Sequence, residues 1–399
     1  MTNEPKSNKG WRVTLAGTGI NLALGVLYTW SVISKKIPAE WNWSEADRAL
    51  PYTIACLVFA FMMVPAGKLQ DIFGPRMVAT MGGLLTGLGL ILAYQFNSVA
   101  MYILCFGVLA GTGIGFGYSS ATPPAIKWFP PAKTGMIAGI VVAGFGLASV
   151  YIAPLAQYLI GAYGVPTTML IFGISFLVIV VTLAQFLVNP PPAVSPAQSG
   201  TAAATQTGES RIGQVLSTYQ FYILWLMYAF NAGAGLMVIG KLAKVVSVQA
   251  SYEAGFKLVA LLAIGNAGGR ILAGMLSDKL GRIRTLQLFT LFQAILMFLM
   301  PFVDNALVLV FFAICIGMNY GSNLSVFPSI TKDFFGLKNF GVNYGLIFTA
   351  WGVGSLLALV SGIVYDKTQS FQYAFFLSGA LLIVSIILSF TVKKPKNSQ

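Results

Sequence analysis

The chain has 399 residues, of which 57% are hydrophobic and only 9% are charged, and it carries a formal net charge of +13. Soluble domains carry about 25% charged residues, so this composition excludes an ordinary soluble domain and predicts an integral membrane protein. The positive charges lie in short segments between apolar spans, which is typical of topogenic charge, so nucleic acid is not an expected partner.

The composition also argues against a resident cofactor or metal. The chain has no histidine, and its three cysteines, Cys56, Cys105 and Cys315, all fall in apolar segments. Haem, iron–sulfur and zinc sites need ligands of these two types, so none is expected. We interpret the cysteines as packing residues without a disulfide. With no nucleophile–base pair and no paired carboxylates in the sequence, the chain is not expected to be an enzyme.

Twelve apolar segments are long enough to cross a bilayer by the criterion of about 20 residues. The predicted spans are 11–34, 50–71, 76–96, 99–127, 133–161, 166–188, 219–244, 254–278, 283–302, 306–331, 339–365 and 370–391. We refer to them as spans 1 to 12. The fold class is therefore an all-α membrane protein with twelve transmembrane helices.

A polar segment separates the sixth span from the seventh. Residues 190–217 are rich in Pro, Ala, Ser, Thr and Gly, and their larger first part, up to residue 210, shows no apolar periodicity. This composition predicts a flexible cytoplasmic linker. The predicted domains are an N-terminal six-helix bundle, 1–189, and a C-terminal six-helix bundle, 218–399.

The distribution of basic residues predicts the orientation. Most Lys and Arg residues outside the spans fall on the side that holds the N-terminus, which places both termini in the cytoplasm. The N-terminal segment is polar up to Lys9 and shows no removable signal peptide. These features suit a multi-pass protein of a cell inner membrane.

The two halves of the sequence repeat. Gly67–Gly74 recurs as Gly274–Gly281, an offset of 207 (278 − 71). Four small residues recur with an offset of 206 (341 − 135), namely Gly135, Gly139, Gly146 and Ser149 as Gly341, Gly345, Gly352 and Ser355. Two separate stretches with nearly the same offset predict a duplication of six spans into two pseudo-repeats.

Arg270 lies deep in the eighth span. Eight residues separate it from Asp278, or about 12 Å along a helix, which is well inside a bilayer core of roughly 30 Å. Every acidic residue falls in a loop, a tail or a helix end. The arginine therefore either binds an anionic ligand through its planar fork or bonds to carbonyl groups of a neighbouring helix. Asn266, one turn earlier, is expected to orient the guanidinium or to bind a substrate oxygen.

The loop between spans 2 and 3 resembles the loop motif of the major facilitator superfamily, Gly-x-x-x-Asp-x-x-Gly-x-Arg. Its motif residues here are Gly67, Asp71, Gly74 and Arg76. We interpret Asp71, Arg76 and, in the second half, Asp278 and Arg282 as structural charge pairs that hold helices in one gating state.

Two further stretches narrow the resemblance. The segment 128–144 is similar to the fifth-helix motif of the monocarboxylate porters and of the oxalate/formate antiporters, and the Arg270 stretch matches the eighth helix of both groups. The resemblance covers nearly the whole chain and implies the major facilitator fold. It also implies transport of small carboxylates by alternating access.

The resemblance further implies which residues line the site. Spans 1, 4, 7 and 10 line the central cavity in this superfamily, which favours Tyr28, Tyr118 and Tyr320 as polar aromatic contacts. Leu27 and Trp30 are candidates for the apolar wall.

Two departures from the related families bear on the substrate and on coupling. Oxalate transporters have a second basic residue in span 11, where this chain has Trp351, so a single buried cation remains to balance one negative charge. This favours a monocarboxylate such as lactate or pyruvate. Animal porters have an aspartate at the position of Asn266 and a lysine near Tyr28, so coupling through a transmembrane carboxylate is not expected here.

The sequence thus predicts a monomeric, proton-linked symporter of small monocarboxylates, whose partners are the anion, the proton and the lipid bilayer. The substrate site would comprise Arg270, Asn266, Tyr118, Tyr320, Tyr28, Leu27 and Trp351. An exchanger of the oxalate/formate type is the alternative. A substrate-sensing receptor that keeps the carrier fold is a third possibility.

Overall fold

A computed structural model describes residues 4–129, 134–191, 212–250, 255–336 and 340–395, and the regular structure of these residues is helical throughout. Their main helices are Glu4–Leu24, Trp30–Lys35, Glu45–Phe73, Pro75–Ala93, Val99–Tyr102, Gly111–Lys127, Thr134–Ala184, Ile212–Leu216, Tyr219–Ala250, Gly255–Leu280, Arg282–Leu299, Ala306–Phe335, Phe340–Gly354, Leu356–Thr368 and Gln372–Ser389. Most of the predicted linker, 192–211, lies outside the described residues.

Eleven helices in the described residues are long and apolar enough to cross a membrane. One of them, Met136–Ala184, has 49 residues. At about 1.5 Å per residue it would be more than twice as long as a hydrocarbon core of roughly 30 Å. The backbone leaves the helical conformation at Gly164, where φ is 80° and ψ is 172°. This glycine divides the segment into spans 5 and 6, and the prediction of twelve spans is confirmed.

Three spans are interrupted. Span 1 changes from α-helix to a 3₁₀ turn over Gly25–Thr29, and span 4 contains a π-helical segment, Ile103–Ala110. Span 11 is interrupted at Ser355, whose hydroxyl donates to the carbonyl of Thr53 in span 2. Such irregular backbone is tolerated in a membrane where it is buried in protein. The turn in span 1 carries Leu27 and Tyr28, so it fixes the direction of a predicted site residue.

Two contacts identify the end of the bundle at which the described terminal segments lie. The amide of Gln220, at the start of span 7, donates to the carbonyl of Lys393 after span 12. Gly10 in span 1 lies against Trp128 at the end of span 4. We call the end that holds these contacts the terminal end. The opposite end, where the helix of span 2 begins at Glu45, is the distal end.

Glycines bring spans 8 and 10 into backbone contact. A Cβ atom added at Gly265 or Gly269 of span 8 would overlap a carbonyl oxygen of span 10. A Cβ atom added at Gly317 or Gly321 of span 10 would overlap a carbonyl oxygen of span 8. Small residues at a helix interface permit this close approach. The packing fixes Gly269, which directly precedes Arg270, against the backbone of Met318.

We expect Gly269→Ala to destabilise the protein, because the new methyl group would overlap the backbone of span 10. Overpacking of this kind costs about 1–3 kcal/mol. The measurement is the midpoint of thermal unfolding in detergent. Gly268→Ala is the matched control, since Gly268 is exposed and has no neighbouring atom within 4 Å of its added Cβ. Equal midpoints for the two variants would contradict this account of the packing.

Candidate functional site

Arg270 lies between the first six spans and the last six. It is only 7% exposed. Its Nε donates to Asn266 Oδ1 at 3.2 Å, and its Nη1 donates to the carbonyl oxygen of Val142 in span 5 at 2.8 Å. Asn266 is thus placed to orient the guanidinium, which was one of its two predicted roles. Arg270 also bonds to a carbonyl of a neighbouring helix, which was one of the two alternatives for this arginine. These oxygens satisfy donors, but neither carries the negative charge that would balance the guanidinium.

Two buried nitrogen donors beside these bonds have no hydrogen-bond partner among the residues that the structure describes. They are Arg270 Nη2 and Asn266 Nδ2. Across from them, a Cβ added at Gly146 of span 5 would lie 3.3 Å from Nη2. The absence of a side chain at Gly146 thus lets span 5 approach this donor closely. A buried donor without an acceptor is unfavourable by about 1–3 kcal/mol, so the arrangement suits a small ligand with acceptor oxygens and a negative charge.

A hydroxyl pair also joins the two sets of spans. Tyr28 Oη and Tyr320 Oη are 2.6 Å apart, and either atom is able to donate. Trp351 Nε1 donates to Tyr320 Oη at 2.7 Å. Because an indole N–H is only a donor, Tyr320 must accept from it and keeps its own proton for Tyr28 or for a ligand. The structure therefore brings three of the predicted residues into one hydrogen-bonded chain.

Aromatic rings surround Tyr118. Its ring lies edge-on to Phe59 at 5.2 Å and to Phe145 at 5.3 Å, and it stacks near Phe348 at 6.4 Å. Phe145 also packs edge-on against Tyr28, which links this cluster to the hydroxyl pair. The three phenylalanines were not among the predicted site residues.

The other predicted wall residues lie in the core. Leu27 is fully buried next to Tyr28. Trp30 stacks on Phe106 of span 4 at 4.4 Å and donates through Nε1 to the carbonyl of Arg48 at 2.7 Å. Trp30 therefore supports span 2 rather than the hydroxyl chain.

The motif residues lie at the terminal end. Arg282 pairs with Asp278 at 2.6 Å and with Asp333 of span 10 at 3.3 Å. Arg76 is exposed at the start of span 3, and the side chain of Asp71 lies outside the described residues. The charge pair in the second half thus connects spans 8, 9 and 10, whereas a gating role for the four residues stays a prediction.

A group of charged residues at the distal end joins spans 2, 7 and 11, and we call it the distal charged cluster. Its members are Glu45, Arg48, Lys241, Lys244 and Asp366. Glu45 lies 3.1 Å from Lys241, 3.6 Å from Lys244 and 3.7 Å from Arg48. The Asp366 carboxylate accepts the backbone N–H groups of Glu45 and Ala46 at the start of span 2. These contacts close the distal end between the two sets of spans. The cluster was not among the predicted sites. Its only trace in the sequence is that these charged residues fall near the ends of spans 2, 7 and 11.

Among the described residues, no group of three or more His, Cys, Asp or Glu side chains is placed to hold a metal ion.

The sequence model of the Major Facilitator Superfamily matches residues 14–358 and 249–399. The chain belongs to the Major Facilitator Superfamily. It is 31% identical over 360 residues to the MFS-type transporter YhjX of Escherichia coli (strain K12), covering 89% of this chain and 88% of the relative. As a member of the superfamily it is a transporter, not an enzyme.

Two other relatives have names that state a substrate class. The oxalate:formate antiporter of Oxalobacter formigenes is 25% identical, covering 96% of this chain and 91% of the relative. Monocarboxylate transporter 13 of Bos taurus is 26% identical, covering 95% and 88%. An inward-facing bacterial homologue of the human lysosomal transporter Spinster shares the fold, with a TM-score of 0.70 at 14% identity over 98% of this chain and 97% of that chain.

We expect Gly146→Ala to weaken binding of a small carboxylate such as lactate about tenfold, because the new methyl group crowds Arg270 Nη2. A hydrogen bond to a charged group contributes about 1.5–3 kcal/mol, and 1.4 kcal/mol corresponds to a factor of ten. The measurement is equilibrium binding to the purified transporter. Gly139→Ala, on the same helix with no atom within 4 Å of its added Cβ, is the control. The assignment of Nη2 as a ligand donor fails if the two variants bind alike.

We expect Glu45→Gln to open the distal end, because it leaves Lys241 and Arg48 without their carboxylate. The readout is the labelling rate of a cysteine at the buried Ser34 in a chain without native cysteines. A rise of about tenfold, equivalent to 1.4 kcal/mol, is expected, less than the 3–5 kcal/mol of a fully buried pair. Glu40→Gln is the control, since Glu40 is exposed and forms no ion pair with a described residue. Unchanged labelling in Glu45→Gln would show that the cluster does not hold the distal end closed.

Proposed function

We propose that this transporter moves small monocarboxylates, such as L-lactate and pyruvate, together with a proton. The observation that carries the proposal is the pair of buried donors, Arg270 Nη2 and Asn266 Nδ2, for which no described residue supplies an acceptor. A carboxylate bound to these two donors would supply both acceptors and the missing negative charge. The names of the carboxylate-transporting relatives agree with this chemistry.

Charge balance favours a monoanion. Among the described residues, no acidic side chain pairs with Arg270, and Trp351 stands where a second cation would be needed for a dianion. An uncompensated second charge in a dry site costs several kcal/mol. The rings of Tyr118, Phe145 and Phe348 suit the short apolar end of a monocarboxylate.

The proposed cycle is alternating access. Residues 1–189 and 218–399 would rock about the Arg270 site, with 190–217 as the cytoplasmic linker. Both termini would be cytoplasmic and the protein would lie in a cell inner membrane, which we expect it to occupy as a monomer. In this orientation the distal charged cluster faces the outside, and its contacts must separate before substrate enters from there.

Proton coupling in this proposal does not use a transmembrane carboxylate. The empty site holds one positive charge, on Arg270. In the proposed symport the proton would travel on the carboxyl group of the substrate. The protonated substrate is neutral, so the loaded site would cross with the same single charge as the empty site. Tyr28 and Tyr320 supply hydroxyl groups that are able to bond to either form of the carboxyl group.

A second candidate is anion exchange, which the similarity to the oxalate:formate antiporter favours. The two candidates share the site and differ only in coupling. Exchange requires a substrate on each side of the membrane, whereas symport responds to a proton gradient.

The test is uptake of labelled lactate into proteoliposomes. One set has an inward proton gradient and no internal substrate, and the other has no gradient but is preloaded with unlabelled lactate. Accumulation in the first set, with competition by pyruvate and little by oxalate, supports the proposal. Accumulation in the second set alone establishes exchange, and strong competition by oxalate contradicts the preference for a monoanion.

We expect Arg270→Ala to abolish saturable uptake and Arg270→Lys to raise the KM at least about tenfold. A lysine keeps the charge but lacks the planar fork that serves Asn266, Val142 and the ligand at once. The measurement is initial uptake against lactate concentration in the same proteoliposomes. Lys279→Ala, an exposed basic residue on the same helix, is the control. Wild-type constants in Arg270→Ala would exclude a binding role.

A further inference from the structure

A groove runs along the outer surface of the last six spans, between spans 9 and 12, at the terminal end. Its volume is about 330 Å³. One wall is a single face of span 9 that carries Arg284, Leu288 and Leu291, and the other carries Ile386 and Phe390 of span 12. These residues are spaced by three, four or seven positions, so each set lies on one side of its helix.

The groove is lined mainly by apolar side chains, with Gln287 and Arg284 as its polar residues. Between the two helices, Gln287 Nε2 donates to Ser389 Oγ at 2.8 Å, so this amide is already paired. The side chains of Leu288, Leu291 and Phe390 are 55%, 46% and 72% exposed. Arg284 and Leu291 are separated by about 10 Å along the helix, roughly a third of the hydrocarbon core. The groove therefore extends from the interface into the depth of the acyl chains.

Positive charge surrounds the mouth of the groove. Arg284 is exposed and forms no ion pair with a described residue. Lys279 precedes the groove residue Leu280, and Lys393 and Lys394 follow shortly after Phe390, all three exposed. The nearest acid in the chain, Asp278, is paired with Arg282. Arg284 is thus left with a local excess of positive charge at membrane-interface depth.

We propose that this groove is a binding site for an anionic phospholipid, with one acyl chain between spans 9 and 12 and the phosphate at Arg284. An acyl chain alone explains the apolar walls, and the unpaired cation at the interfacial end selects a negative headgroup. This site lies on the lipid-facing surface, so the proposal does not depend on the transported substrate.

The test is thermal unfolding of the full chain in detergent, titrated with phosphatidylglycerol, with phosphatidylcholine of the same acyl chains, and with soluble glycerol phosphate. We expect stabilisation at lower concentration by phosphatidylglycerol than by phosphatidylcholine, and none by glycerol phosphate. Arg284→Gln should weaken the response to phosphatidylglycerol about fivefold, the contribution of one basic residue near a lipid surface. Arg76→Gln, an exposed basic residue at the same end in the first six spans, should not.

A second variant tests the acyl chain independently of charge. Leu291→Trp fills the groove and should weaken the response to both lipids, whereas Leu84→Trp, at a comparably exposed leucine of span 3, should leave both unchanged. The proposal is overturned by equal responses to the two lipids in the wild type, by equal effects of Arg284→Gln and Arg76→Gln, or by full stabilisation with glycerol phosphate. A change of oligomeric state in Leu291→Trp would instead identify the groove as an interface between copies.

Discussion

The buried guanidinium of Arg270 is the constraint on which the rest of the site depends. Two of its nitrogens donate hydrogen bonds to oxygens of Asn266 and Val142, but a neutral oxygen does not cancel a charge in a medium of low dielectric. The third nitrogen, Nη2, has no acceptor among the described residues. Gly146 carries no side chain beside Nη2, and at this point span 8 of the last six spans meets span 5 of the first six.

The position of Arg270 depends in turn on backbone contacts rather than on side chains. Glycines of spans 8 and 10 meet the carbonyl groups of the opposite helix, so neither helix is free to slide without a clash. Gly321 follows Tyr320 directly, and Gly269 precedes Arg270 directly. The same contact therefore sets both the cation and the hydroxyl that receives the Trp351 N–H.

The number of spans and the position of Arg270 inside one of them were predictable, because hydropathy and an isolated charge are local properties of a sequence. The hydrogen bond that Arg270 donates to Asn266 was also predictable, because the two residues are one helical turn apart. The carbonyl of Val142 was not assignable, since every residue has one and only packing selects it. Phe59, Phe145 and Phe348 were missed for a similar reason: phenylalanines in apolar spans look alike until their rings meet. The distal charged cluster was not predictable, because its residues come together only where spans 2, 7 and 11 approach one another. The sequence of any single span does not show that approach.

The bond from Arg270 Nη1 to Val142 also bears on how a substrate would drive the proposed cycle. It joins span 8 to span 5, so rocking of one half against the other strains or breaks it. In the empty protein that movement would leave a second buried donor without an acceptor. A carboxylate bound at Nη2 has another oxygen to offer Nη1 as the carbonyl withdraws. The ligand would then replace a contact between the halves at the moment of its loss, and the loaded protein would cross more readily than the empty one.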